Sequence, residues 1–203
     1  MDLKETYNKI AEDWFKDHKT DGWWQEGTDK FLSLLGKGSK VLDVGCGAGI
    51  KSGYLSAKGF EVTGIDFSEK FIDIARKENP KLHFDVVDIY ELDKYPKKFD
   101  GIFAQAVLLH VPKARVMNVL QMMKDKLNDN GLLYIAVKGV KSDGIEEGTK
   151  KENDYGYEYE RFFSYFSSEE LKKYFQKLGL ELLWENRTDS GRATWLQVIG
   201  RKA

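Results

Sequence analysis

The stretch Val41-Leu42-Asp43-Val44-Gly45-Cys46-Gly47-Ala48-Gly49 constrains this chain more than any other. A short apolar run closes on an acid, and glycines follow at alternate positions. That pattern reads as a buried strand running into a backbone-lined ligand loop at the start of a helix. Gly45 fits the positive φ of a sharp turn, and Gly47 leaves no Cβ between main chain and ligand. Gly49 lets the following helix sit close. Two later runs repeat the theme. Phe60-Glu61-Val62-Thr63-Gly64-Ile65-Asp66 closes on an acid about twenty residues past the loop, the spacing of a carboxylate that receives ribose hydroxyls. Leu82-His83-Phe84-Asp85-Val86-Val87-Asp88 closes on another. In a doubly wound sheet the ligand crevice lies at the carboxyl ends of the strands, so Asp43, Asp66 and Asp88 are expected on one edge.

A nicotinamide dinucleotide site needs glycine or alanine at the sixth place of its fingerprint. Counted from Gly45, that place is Ile50. Three acids also argue for a ligand bearing a cation or an amine rather than a pyrophosphate.

A chain of 203 residues is long enough for one domain with a sizeable core. A net charge of −1 gives no global basic field to hold a polyanion, which argues against a nucleic-acid partner. The single cysteine, Cys46, cannot form an internal disulfide and fits a reducing, cytoplasmic setting. There is no apolar run long enough to span a bilayer, and the polar N-terminus has no signal-peptide core. Neither a Cys/His cluster nor a suitable carboxylate pair suggests a metal.

Strand and helix alternate, which predicts an α/β fold with a mostly parallel sheet covered on both faces. Strands are expected near 40–44, 60–65, 82–87, 99–104 and 131–137, and helices near 50–58, 68–78 and 113–127. Ser68 is the expected N-cap of the second helix. Ser167-Ser168-Glu169-Glu170-Leu171 is a capping signal for a later helix that ends at Gly179. Strands near 180–186 and 193–201 then flank an Asp189-Ser190-Gly191 turn. The whole reads as a single domain, 1–203. It divides into a helical cover at 1–37, a core at 38–137, an aromatic insertion at 138–166 and a terminal helix with hairpin at 167–203.

The motifs together resemble the class I S-adenosylmethionine-dependent methyltransferases, of small-molecule type. Residues 41–49 are similar to that family's first motif, and Gly64-Ile65-Asp66-Phe67-Ser68 to its ribose-binding strand end. Asp88-Ile89 resembles its adenine-binding strand end. The run from Phe99 through Gln105-Ala106 and His110 to Val111 resembles its fourth motif, and Gly131-Leu132-Leu133-Tyr134-Ile135-Ala136-Val137 its fifth strand. The resemblance spans roughly residues 38 to 200 and implies a seven-stranded sheet of order 3-2-1-4-5-7-6, strand 7 antiparallel.

The resemblance implies S-adenosyl-L-methionine as cofactor, held by residues of matching chemistry. Gly45, Cys46 and Gly47 would hold its methionyl part through the backbone, with Asp43 near the ammonium. Asp66 would accept both ribose hydroxyls, and Asp88 would accept from the adenine amino group. Phe67 and Ile89 would flank the adenine ring, and Gln105 and Ala106 would face the sulfonium region. Tyr7 and Trp14, in an N-terminal stretch that reads as cover or lid, are the expected cofactor neighbours there. Lys51 reads as a solvated helix residue.

His110 is the candidate general base if the acceptor must lose a proton. The competing reading is a brace for the next helix. Residues 138–166 read as one long irregular segment above the strand ends, with 138–153 mobile when no ligand is bound. Within it Tyr155, Tyr157 and Arg161 are the candidate acceptor contacts, while Phe162 and Phe166 fit core packing equally well. The expected partner is a small-molecule acceptor with a reactive oxygen or nitrogen, in a monomer or homodimer. Two alternatives stay open: a non-catalytic S-adenosylmethionine-binding partner or sensor, and a protein or RNA methyltransferase.

Overall fold

The computed structural model describes residues 2–140 and 144–203. Its centre is a sheet built from β1 (Lys40–Val44), β2 (Glu61–Asp66), β3 (His83–Val86), β4 (Phe99–Gln105), β5 (Leu127–Lys138), β8 (Leu180–Asp189) and β9 (Thr194–Lys202). Two further strands, β6 (Glu147–Glu152) and β7 (Tyr159–Ser164), form a separate antiparallel hairpin. The sheet runs β3-β2-β1-β4-β5-β9-β8, with β9 antiparallel to both its neighbours. This is the expected order, with the last two strands renumbered by the hairpin.

Alternation along the central strands divides the core. Leu42, Ile102, Leu133 and Ile135 face α5 (Lys113–Asp125) and α6 (Ser168–Lys177). Val41, Phe103, Leu132 and Tyr134 face the other way, toward α2 (Gln25–Ser33) and α3 (Ile50–Ala57). Both faces are therefore covered, and β1, β4 and the 132–137 part of β5 are buried at nearly every position. Ser68 caps α4 (Glu69–Glu78) by accepting from Phe71 N at 3.2 Å, and Ser167 caps α6 from Glu170 N at 3.1 Å. Both caps stand where the sequence put them.

The two N-terminal helices pack in different places. Helix α2 is cover: Phe31 packs on Phe103 and Tyr134 of the sheet. Helix α1 (Leu3–His18) instead crosses the strand ends, packing Tyr7, Ile10 and Ala11 with Phe71, Ile74 and Tyr159.

Two expectations are corrected. The expected helix over 113–127 stops at Asp125, because Leu127 joins the sheet opposite Phe99 instead of continuing the turn. The segment 138–166 is not irregular throughout. Glu147–Glu152 and Tyr159–Ser164 pair in register, and Gly156, at φ 80°, lies in the loop that joins them. A buried Arg161–Glu152 pair, with Nε and Nη2 each on one carboxylate oxygen at 2.6 and 2.9 Å, stiffens it. The mobile stretch expected over 138–153 thus contains a strand, and its residues 141–143 lie outside the described part.

Helix α2 meets the sheet at Gly27. A Cβ there would fall 1.7 Å from Gln197 Oε1 and 2.8 Å from Tyr134 Oη, which are bonded to each other at 2.9 Å. Gly27→Ala should therefore destabilise the fold by about 1–3 kcal/mol despite alanine's better helix propensity, read as a lower midpoint in urea. A neutral or stabilising result would mean that α2 packs less tightly than described.

Candidate active site

A cavity of about 360 Å³ opens at the carboxyl ends of β1, β2, β3 and β4. Its floor is the loop after β1. Gly45 N and Cys46 N both donate to Ile65 O, at 2.8 and 3.0 Å, which locks the loop onto β2. Gly45 has φ 68°, and a Cβ there would sit 2.6 Å from Val107. Gly47 has φ 53° and faces the cavity, with Trp14 the first side chain at 4.0 Å from a would-be Cβ. Only glycine meets both demands without strain.

The three acids do converge there. Asp43 is 2% exposed and accepts from Ser52 Oγ at 2.6 Å. Asp66 is buried and accepts from Gly47 N and Ser68 N, both at 2.9 Å, one on each oxygen. Asp88 caps a short 3-10 turn (Ile89–Lys94) through Tyr90 N at 2.9 Å. Burial pushes the Asp43 carboxyl up to about 7, partly countered by Ser52 and Lys51. Burial likewise lifts Asp66 to about 6 against its backbone donors. Asp43 and Asp66 are thus desolvated more than their partners compensate.

Beyond the acids, Phe67 and Ile89 line the cavity, as do Gln105, Ala106, Tyr7, Trp14 and His110. Gln105 is 6% exposed, and neither of its side-chain amide atoms has a hydrogen-bond partner among the described residues. Such an amide is costly unless something polar meets it. Ala106 follows at φ 59°, a conformation non-glycine residues rarely hold.

His110 closes the far end, in the 3-10 turn Leu108–His110. Its Nδ1 lies 2.7 Å from Phe162 O and its Nε2 2.6 Å from Tyr7 Oη. The carbonyl can only accept, so Nδ1 carries the proton and Nε2 accepts from the Tyr7 hydroxyl. Burial lowers the imidazole to about 3, with Arg161 and Lys138 adding to the effect against the Phe162 carbonyl. Arg161 Nη1 also reaches Tyr7 Oη, at 3.4 Å.

Tyr155, Tyr157 and Arg161 are not among the cavity's lining residues. Tyr157 Oη donates to Asp13 on α1 at 2.9 Å, and Tyr155 stacks on Tyr159. The hairpin's turn carries both tyrosines past the strand ends onto α1, and Arg161 is engaged by Glu152. From this insertion it is Phe162 that reaches the cavity, while Phe166 is wholly in the core. Lys51 also lines the cavity, its Nζ 5.7 Å from the ring centres of both Trp14 and Trp24. It is not the solvated helix residue that its sequence context suggested. No group of three metal-ligating side chains occurs among the described residues, and no helix there is long and apolar enough to cross a membrane.

Comparison with known proteins bears on this site. A family model described as a methyltransferase domain matches residues 17–185. A ubiquinone biosynthesis O-methyltransferase of Coxiella burnetii is 35% identical over 120 residues, 51% of this chain and 51% of that protein. One from Bordetella bronchiseptica is 41% identical over 96 residues, 45% of this chain and 38% of that protein. The chain spans about half the length of the curated relatives it matches. Among solved structures, 1,6-didemethyltoxoflavin-N1-methyltransferase of Burkholderia thailandensis superposes with a TM-score of 0.76 at 18% identity, over 99% of this chain and 87% of that one. Magnesium protoporphyrin IX methyltransferase of Synechocystis, with S-adenosylhomocysteine bound, gives 0.76 at 17% identity over 99% and 98%. At such identities the likeness establishes the fold.

The raised Asp43 carboxyl has a consequence for stability. An acid whose folded pKa lies above its unfolded value, roughly 4, contributes stability that is complete below that value. The contribution is lost as pH rises through about 7. Asp43→Asn keeps an acceptor for Ser52 and removes the charge. Its melting temperature without ligand should gain on the wild type progressively between pH 4 and about 8, followed by scanning fluorimetry. A difference independent of pH would show that Asp43 titrates as an ordinary surface acid.

Proposed function

The chain belongs to the class I S-adenosylmethionine-dependent methyltransferase family, and we propose that it moves a methyl group from S-adenosylmethionine to an oxygen or nitrogen of a small molecule. The observation that carries this reading is the convergence of three strand-end acids and a glycine loop on one cavity. The residues fit the donor. Gly47 offers bare backbone, and the buried Gln105 amide awaits a polar partner at the methionyl end.

Each side chain has a role in this reading. The Asp66 oxygens, each already fixed by one N–H, keep lone pairs for the two ribose hydroxyls. Asp88 receives the adenine amino group, and Phe67 and Ile89 flank the ring. Asp43 attracts the ammonium. Gly45, Cys46 and Ala106 shape the backbone around the sulfur, and Tyr7 and Trp14 close it from α1. When bound, the donor supplies a sulfonium-activated methyl carbon open to in-line displacement. The chain's task is then to hold an acceptor atom on that line and keep water out.

His110 serves as a positioning residue rather than a base. Its protonated Nδ1 is spent on Phe162 and its Nε2 on Tyr7, and a group held near 3 draws a proton weakly at neutral pH. It fixes the Tyr7 ring where the acceptor would rest. Tyr155, Tyr157 and Arg161 support that wall from behind, through α1. The relatives' names carry both O- and N-methylation of small molecules, which supports keeping both atoms in the proposal.

The test is thermal. S-adenosylmethionine or S-adenosylhomocysteine at about 100 times its Kd should stabilise the protein by roughly 2.7 kcal/mol, and a nicotinamide dinucleotide should not. Asp66→Ala should remove most of that shift. A shift caused by the dinucleotide, or one that survives Asp66→Ala, would defeat the assignment.

A further inference from the structure

Lys51 is the feature of the cavity that the roles above leave unexplained. Two lysines line the cavity. Lys4 is paired with Glu69 at 2.5 Å. Lys51 has no carboxylate within ion-pair distance among the described residues, although Asp43 and Asp21 act on it through space. It is half-buried, with Nζ between the indoles of Trp14 and Trp24. An ammonium placed there has lost water without gaining an anion.

Its neighbour in sequence is Ser52, whose hydroxyl holds Asp43. The first turn of α3 therefore presents a cation and steadies an anion beside the same glycine loop. One positive and one negative group side by side are the complement of an α-amino acid zwitterion. The indoles of Trp14 and Trp24 beside the Lys51 ammonium limit water around it and strengthen its attraction for an anion. We propose that Lys51 binds the α-carboxylate of the methyl donor, so that with Asp43 it reads the donor's amino-acid end. This rests on the methyl-donor reading of the cavity, and it names a residue whose place in the chain suggested only a solvated helix surface.

The test compares two ligands by calorimetry. One is S-adenosylhomocysteine. The other is its decarboxylated analogue, which keeps the adenosine, thioether and amine. Wild type should bind the first at least about tenfold more tightly. Lys51→Met keeps the apolar stem against the indoles and removes the charge. It should weaken S-adenosylhomocysteine about tenfold to a hundredfold and leave the analogue unchanged, so that the analogue reports on folding. Lys51→Arg should retain most of the preference. Equal binding of the two ligands by wild type would overturn the proposal, as would equal losses for both in Lys51→Met, or no loss for either. If wild type bound neither ligand, the methyl-donor reading itself would fall and this one with it.

Discussion

Asp66 is the joint on which the site is assembled. Its two oxygens take the backbone N–H groups of Gly47 and Ser68, so one carboxyl ties the loop after β1 to the start of α4. The Ile65 carbonyl, one residue earlier, takes Gly45 and Cys46 from the same loop. Four main-chain donors are thereby settled by two neighbouring residues at the end of one strand. Buried backbone donors must find acceptors somewhere. In the proposed reading, the same acceptors decide where the donor's ribose diol would be received. The apolar surroundings that strengthen these bonds also raise the acid's proton affinity.

The sheet and its loop were legible because their signals are local and repeated. Each of the first three strands is a short apolar run closed by an acid, and α4, α5 and α6 start on Ser68, Pro112 and Ser167. The same regularity made Asp43, Asp66, Asp88, Phe67 and Ile89 readable as a set, since strand-end positions in a parallel sheet share one edge. The cavity gathers all of these.

What the sequence hid depends on contacts distant along the chain. Whether Tyr155 and Tyr157 face a ligand or α1 turns on how the hairpin folds back, and nothing in their spacing says so. Phe162 could be told from Phe166 only once β7 was paired with β6. Lys51 looked solvated because its two indole neighbours come from the N-terminal region, far from α3 in sequence. The bond from Tyr7 to His110 crosses 103 positions. The strands of the insertion were missed because β6 is almost entirely polar and shows no apolar alternation.

Among the described residues the hairpin of β6 and β7 shares no ladder with the seven-stranded sheet, and an isolated bridge between Gly139 and Phe166 joins it to the chain after β5. One end of the cavity is therefore built on the central sheet, and the other on an appendage held to α1 by side chains and to the turn after β4 by the Phe162 carbonyl and the Ser164 hydroxyl. Change in the appendage can reshape the far wall through Phe162 while the end built on the strand-end loops keeps its geometry. A lineage carrying this scaffold could redraw that appendage, and one wall of the cavity with it, while inheriting the strand-end loops intact.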